Sequence, residues 1–321
     1  MNLYKEAILP SLKKSGHTSI WLLKIILPIS LVVRLLDYYG ILAYIADFLN
    51  PAFVYLGLPG STAIVFITSI FLPLYAPLAI ITSMSITLRE LTILALMCQI
   101  SHNLPVECAI QAKTGTSFWS MVTLRIFMSI VVAVILNLIL PQDMGMPIFA
   151  QTNTVAMNSI GDVLVLWLKS SLQIALLIIV IVTTLNILYK ILDEYHLIEK
   201  LTKTIEPLLK FFGFPSSTGF LWLIGYIVGL SYGGALMMEQ MNEGKVTKSD
   251  AELLNYHLAL SHSIIEDNLL FVALGVSIWW ILGTRLIAAA IVVWLRKIYL
   301  RLKVKWLYPA VNLKIEEKKI R

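Results

Sequence analysis

The 321-residue chain is 58% hydrophobic and only 14% charged, with a mean hydropathy of +0.83 and a net charge of +6. A soluble domain carries about 25% charged residues, so the composition excludes an ordinary soluble protein and reads as a polytopic membrane protein. Cys98 and Cys108 lie in or beside apolar runs and imply no disulfide framework. The positive surplus sits in the tail after Trp294, where it marks orientation rather than nucleic-acid binding.

Residues 1–19 form an N-terminal segment with Lys5, Lys13 and Lys14. The first apolar segment, Ile20–Leu36, has no small-residue cleavage site after it and reads as a retained span. Asp37–Leu58 reads as an amphipathic surface helix without Lys or Arg. Ser61–Met84 is apolar but interrupted by Pro73 and Pro77. Leu88–Thr114 carries the polar run Ser101-His102-Asn103-Leu104-Pro105, and Phe118–Leu140 reads as a span. A linker covers 141–166, a second half 167–295, and a basic tail 296–321.

The second half repeats the first. At an offset of 160, Ser101, His102, Gly115, Ser117, Trp119 and Arg125 recur as Ser261, His262, Gly275, Ser277, Trp279 and Arg285, and Glu107 falls on Asp267. At an offset of 156, Asp37, Tyr39, Pro51, Gly57, Pro59, Ser61 and Thr62 recur as Asp193, Tyr195, Pro207, Gly213, Pro215, Ser217 and Thr218. One four-residue insertion reconciles the offsets, so the chain reads as an internal duplication.

Charge then sets topology. Asp37–Leu58 and Pro141–Asp162 lack Lys and Arg, whereas Asp193–Phe214 carries Lys200, Lys203 and Lys210 and the tail is strongly basic. The positive-inside rule places both termini and the second amphipathic stretch in the cytoplasm, and the first stretch and the linker outside. Each half therefore crosses an odd number of times, and the halves are inverted, an arrangement common in secondary transporters. Parity is met if Leu88–Thr114 is a re-entrant hairpin with its tip near Ser101–Pro105. It is met equally if Ser61–Met84 is re-entrant and the Ser-His-Asn segment is a broken spanning helix. The first choice puts the acidic loop Glu239–Glu252 outside.

The paired Gly-x-Pro-x-Ser-Thr and Ser-His-x(4)-acid-x(7)-Gly segments resemble the Gate, or nucleoside recognition, domain family. Similar modules occur in spore maturation proteins A and B and in the membrane part of the bacterial ferrous-iron transporter. The resemblance implies two Gate-type modules, at 20–140 and 167–295. It implies an all-α membrane fold of two inverted repeats with about six spans, re-entrant hairpins and amphipathic surface helices. No GTPase domain accompanies them.

Ser101, His102, Asn103, Ser261, His262 and Ser263 are the candidate solute contacts, because intramembrane polar groups are costly and face a cavity or one another. Their competing role is to cap broken helix ends, which does not require His. Glu107 and Arg125, like Asp267 and Arg285, flank a glycine at depths that suit an acid–arginine pair, against the simpler reading that each arginine snorkels. Ser61, Thr62, Ser217 and Thr218 read as N-caps of the following helices. Cys98, His102, Glu107 and Cys108, with His257, His262, Glu266 and Asp267 in the second half, offer metal-ligand types without a spacing that guarantees convergence, so no metal site and no cofactor is assigned. The expected function is a transporter-like plasma-membrane protein binding a small polar, nucleoside-like solute. The alternatives are a non-transporting module that binds a partner protein or lipid-linked intermediate, and a divalent-metal permease. No nucleophile–base constellation or cofactor fingerprint marks an enzyme. Membrane lipid and the solute are the expected partners, nucleic acid is not, and homo-oligomerisation stays open.

Overall fold

The computed structural model describes residues 9–148, 159–195, 201, 202 and 204–307. Among these residues all regular structure is helical. The first half comprises α1 (Leu9–Tyr38), α2 (Ile41–Val54), α3 (Ala63–Phe71), α4 (Tyr75–Ile81), α5 (Leu88–Ser101), α6 (Leu104–Lys113) and α7 (Phe118–Ile139). The second comprises α8 (Ile160–Glu194), α9 (Glu206–Phe212), α10 (Gly219–Ile227), α11 (Leu230–Asn242), α12 (Lys248–Ser261), α13 (Ile264–Val272) and α14 (Ile278–Leu307). The linker beyond residue 148 and the tail beyond 307, including Lys200 and Lys203 of the surface stretch, lie outside the described residues.

Phe118–Ile139, Ile160–Thr184 and Ile278–Lys303 are each long and apolar enough to cross a bilayer, and α5 with α6 passes the same test as one pair bent by 41°. The hydrocarbon core is about 30 Å thick and needs about 20 helical residues. Along α8 the exposed Val165, Leu168, Leu172 and Leu176 form a one-sided apolar stripe, and Phe127, Ile130, Val134 and Leu138 do the same on α7. Their three- and four-residue spacing is that of a helix face turned to lipid. By contrast every residue of α5 from Leu91 to Ser101 is buried, so α5 occupies the centre of the protein.

Both halves use the same local devices. Thr87 and Thr247 cap α5 and α12, each accepting from the backbone N–H three residues on (3.2 and 3.1 Å). In the first case Glu90 returns a bond to the Thr87 N–H at 2.7 Å, which completes a capping box. Asn103 and Ser263 break the helices in left-handed conformation, with φ of 50° and 47°. The N–H groups of these break residues reach out of their own helices, to Ser69 O (2.8 Å) on α3 and Gly225 O (2.9 Å) on α10. Ser69 and Gly225 are themselves related by the 156-residue offset. Gly115 and Gly275 turn the chain into α7 and α14 with φ of 105° and 104°, a region open to glycine and strained for other residues.

Contacts at the helix ends fix the direction of the two broken helices. Leu88 N–H donates to Gly145 O at 2.9 Å, and Ile148 N–H to Leu274 O at 3.3 Å. The start of α5 and the end of α13 therefore share one end of the bundle, with the 145–148 segment between them. At the other end Asn255 Nδ2 donates to Thr114 O (2.9 Å), and Gln111 Nε2 to Asn255 O (2.9 Å). The two broken helices thus run antiparallel through the core, with their breaks side by side. Arg89 bonds Asn137 O (2.7 Å) near one end of α7, while Ser101 Oγ bonds Arg125 O (3.1 Å) midway along it. The α5–α6 pair therefore lies along the length of α7.

This geometry bears on two expectations. A tight re-entrant hairpin at Ser101–Pro105 requires the chain to reverse, whereas α5 and α6 form a pair bent by 41°. The two ends of Leu88–Thr114 consequently lie at opposite ends of the bundle. The acidic loop was expected on the side away from the tail. Instead Arg296 of α14 pairs with Glu252, and Lys297 Nζ donates to Gly213 O at 2.8 Å, so the start of α12 and the second surface stretch gather at the tail end of α14. The expected capping by threonine also differs. Thr62 and Thr218 hydroxyls donate back to Pro59 O and Pro215 O (2.7 and 2.8 Å) and cap no N–H.

Candidate functional site

Where the two breaks meet, each is clasped by an arginine from the following helix. Arg125 Nε donates to Ile100 O (2.6 Å) and Nη2 to His102 O (2.9 Å). Arg285 repeats this on Leu260 O (2.9 Å) and His262 O (2.5 Å). These are carbonyls that a broken helix leaves without intrahelical partners, so the planar guanidinium, with donors on several edges, performs the repair. Both arginines are wholly buried, and snorkelling is therefore excluded. Each also meets the acid of its own half: Arg125 Nη1 lies 2.6 Å from Glu107 Oε2, and Arg285 Nη2 lies 3.3 Å from Asp267 Oδ2. The acid–arginine pairs read from the sequence are present in both halves.

Between the clasps sit the two histidines. His102 Nε2 and His262 Nε2 are 3.3 Å apart. Glu107 bridges them, with Oε1 3.2 Å from His102 Nε2 and Oε2 3.2 Å from His262 Nε2. Each ring is held from behind by a backbone carbonyl: His102 Nδ1 is 3.0 Å from Gln99 O, and His262 Nδ1 is 2.7 Å from Leu258 O. A carbonyl only accepts, so Nδ1 carries the hydrogen in both rings, and the neutral tautomer leaves each Nε2 with its lone pair directed at the junction. The exposures of His102, Glu107 and His262 are 5%, 6% and 1%.

Around this triad the polar groups are incompletely matched. Gln99 Nε2 donates to Asp267 O (2.9 Å) and Asn268 Oδ1 (3.3 Å), while Gln99 Oε1 and Asn268 Nδ2 are buried without a protein partner. Buried polar atoms left unsatisfied cost about 1–3 kcal/mol each, so they mark hydrogen-bonding capacity held in reserve. Tyr75 of α4 donates to Glu266 across the halves. Gln99, Asn268 and Tyr75 were not singled out in the sequence. Gln99 was legible as an amide inside an apolar run three residues before His102, but Asn268 and Tyr75 acquire meaning only through contacts between halves.

The remaining candidates divide. Asn103 and Ser263 make the breaks by backbone conformation, with no side-chain cap. Ser261 Oγ donates to His257 O (2.9 Å) and accepts from Tyr226 Oη (3.0 Å), so its hydroxyl is engaged away from the triad. Ser61, Thr62, Ser217 and Thr218 begin the turns before α3 and α10. Ser69, which meets the break, is seven residues beyond Thr62, about 10 Å at a helical rise of about 1.5 Å per residue. These four are therefore scaffold. The two cysteine-containing or second-half ligand sets do not converge. Cys98 and Cys108 are free and buried, and His257 is engaged by Tyr226 Oη at 2.6 Å within an aromatic cluster. The set that does converge is His102, Glu107 and His262, whose ligand atoms lie within 4.8 Å of one another.

Comparison with known proteins agrees with the motifs of the first half. Residues 19–117 match the family model described as Gate, nucleoside recognition. The chain is 28% identical over 281 residues to the uncharacterized membrane protein YvoD of Bacillus subtilis (strain 168), covering 86% of this chain and 90% of that protein. No solved structure matches. With its long apolar helices and their exposed apolar stripes, the chain is a membrane protein whose residues 19–117 are similar to the Gate, or nucleoside recognition, family.

Proposed function

We propose that the protein is a transporter-like membrane protein of two inverted repeats, binding a small polar solute where the breaks of α5–α6 and α12–α13 meet. In this reading α1, α5–α6, α7, α8, α12–α13 and α14 cross the bilayer. The pairs α3–α4 and α10–α11 enter and leave on one side, the second of the two arrangements that parity allows. The antiparallel course of the broken helices supports the inversion. The basic end of α14 then sets its side, with Arg296, Lys297, Arg301 and Lys303 in the cytoplasm. That side also receives Glu252 and Gly213, while Gly145 and Leu88 fall outside.

One observation carries the reading: His102 and His262, equivalent residues of two halves, face each other 3.3 Å apart in a buried junction. A fold requires no such meeting. Irregular backbone at membrane depth is tolerated where it is buried in protein or lines a cavity, and paired broken helices of inverted repeats build the substrate sites of many secondary transporters. Rocking one half against the other would expose the junction alternately to each side, with Gln99 Oε1 and Asn268 Nδ2 free to meet solute. Reconstituted protein should take up labelled solutes from a panel including nucleosides. His102→Gln and His262→Gln should each reduce uptake at least tenfold at unchanged amounts of folded protein. Uptake unaffected by either substitution overturns the site. Absence of uptake for every solute, with retained binding, favours the non-transporting module.

A further inference from the structure

We infer that His102, His262 and Glu107 form a binding site for one divalent first-row transition metal ion. The inference deepens the reading of the junction as a ligand site and does not depend on transport.

The argument begins with hydrogen-bond accounting. With Nδ1–H of both rings spent on Gln99 O and Leu258 O, both Nε2 atoms are acceptors. Glu107 adds a carboxylate, also an acceptor. Two imidazole lone pairs and a carboxylate converge within 3.2–3.3 Å, and the one close donor is Arg125 Nη1, on Glu107 Oε2. Lone pairs held at this distance repel unless a cation lies between them. The cation is either a proton or a metal ion.

The distances accommodate the metal. Bonds of about 2.0–2.1 Å in tetrahedral geometry place neighbouring ligand atoms about 3.3 Å apart. The separations are 3.3 Å between the nitrogens and 3.2 Å from each nitrogen to its nearer carboxylate oxygen. The surroundings also resemble those of a metal ligand set. Each imidazole is oriented through its second nitrogen by a backbone carbonyl, and the carboxylate is held by Arg125, the outer contacts that metal-binding histidines and carboxylates ordinarily have. Two imidazoles and a carboxylate suit zinc and its divalent neighbours. The set lacks the thiolates preferred by cuprous copper and the all-oxygen shell preferred by magnesium and calcium. Three protein ligands leave a coordination position open on a tetrahedral ion.

Arg125 also limits the affinity. Its charge offsets that of Glu107, so the site has little net negative charge to attract a cation, and the ion it holds should be exchangeable. Asp267, Arg285 and Glu266 face the same junction, with Asp267 paired to Arg285 and Glu266 accepting from Tyr75.

The test uses the full-length protein in detergent, stripped with a chelator and titrated with Co²⁺ and, separately, Zn²⁺. Binding of one Co²⁺ per chain, with the intense visible bands of four-coordinate cobalt, and its displacement by Zn²⁺ are expected. His102→Gln, His262→Gln and Glu107→Gln should each weaken binding by at least about 100-fold, beyond the 10–100-fold typical of losing an outer-shell contact. Cys98→Ala should leave it unchanged. Because these variants alter a buried cluster, the wild-type titration decides first: no saturable Co²⁺ binding overturns the metal and leaves a shared proton at the junction. Binding that survives His262→Gln but fails in Cys98→Ala overturns the ligand assignment. Solute uptake by metal-free protein with no metal binding would remove this inference and leave the transport reading standing. Metal binding without uptake of any solute would do the reverse.

Discussion

Replacing Arg125 removes three contacts at once: the ion pair to Glu107 at 2.6 Å and the bonds to Ile100 O and His102 O. Breaking a buried pair from one side costs about 3–5 kcal/mol, and each orphaned carbonyl adds about 1–3 kcal/mol if nothing replaces the donor. These terms are not additive, but even the first is a large share of the 5–15 kcal/mol that holds a typical domain. Arg125→Ala is therefore expected to lose at least about 4 kcal/mol. The ion pair is isolated by a cycle of Arg125→Gln, Glu107→Gln and the double variant, since the lost carbonyl bonds appear on both sides and cancel. Unfolding in mixed micelles of mild detergent and dodecyl sulfate should give a coupling of about 2 kcal/mol or more. Interhelical hydrogen bonds in membrane proteins average only about 0.6 kcal/mol, so a coupling of that size or smaller would refute the claim that charge pairing, rather than ordinary hydrogen bonding, anchors the break.

The same cycle on Arg285 and Asp267 should give a smaller coupling, because their closest approach is 3.3 Å and Arg285 also spends Nη1 on Asn268 Oδ1. An equal or larger value would show that the second clasp is more than a copy of the first. Ser263→Gly should stabilise by up to about 1 kcal/mol, because φ of 47° is strained for serine. Asn103→Gly should change stability by less than about 0.5 kcal/mol, asparagine being tolerant of this conformation, while valine at either position should be destabilising; the unfolding midpoint checks all three. Single cysteines at Gln142, Lys245 and Lys303 should divide in intact cells. Gln142→Cys should react with an impermeant maleimide and the other two should not, and reaction at Lys245→Cys would sink the antiparallel, cytoplasmic placement of the α11–α12 loop.

Much of the scaffold was legible because duplication writes each feature twice. The break at Ser101–His102–Asn103, the glycine turns and the acid–arginine pairs all recur at fixed offsets. The spacing around Gly115 put Glu107 and Arg125 at matching depths, where the structure places them. The course of the broken helix was harder to read. A polar interruption with proline fits both a reversal and a 41° bend, and only contacts such as Leu88 with Gly145 and Asn255 with Thr114 distinguish them. The capping assignments of Thr62 and Thr218 failed because a hydroxyl beside a helix start can accept from the helix or donate back to the preceding proline carbonyl. Each local sequence is compatible with either outcome.

The triad was illegible for a different reason. Neither half holds the whole set: the first offers His102 and Glu107, the second His262. The asymmetry has a simple cause. Glu107 is one methylene longer than its counterpart Asp267. At Glu107 the carboxylate reaches both histidines while still touching Arg125. Asp267 stays with Arg285, and its backbone carbonyl serves Gln99. Two equivalent glutamates at a near-symmetric junction would set two carboxylates against one another, and the shorter Asp267 side chain lessens this. The duplication thus supplies paired breaks, arginine clasps and histidines, and the departures from it, Glu107 against Asp267 and Gln99 against Ala259, supply the single-copy chemistry at the centre.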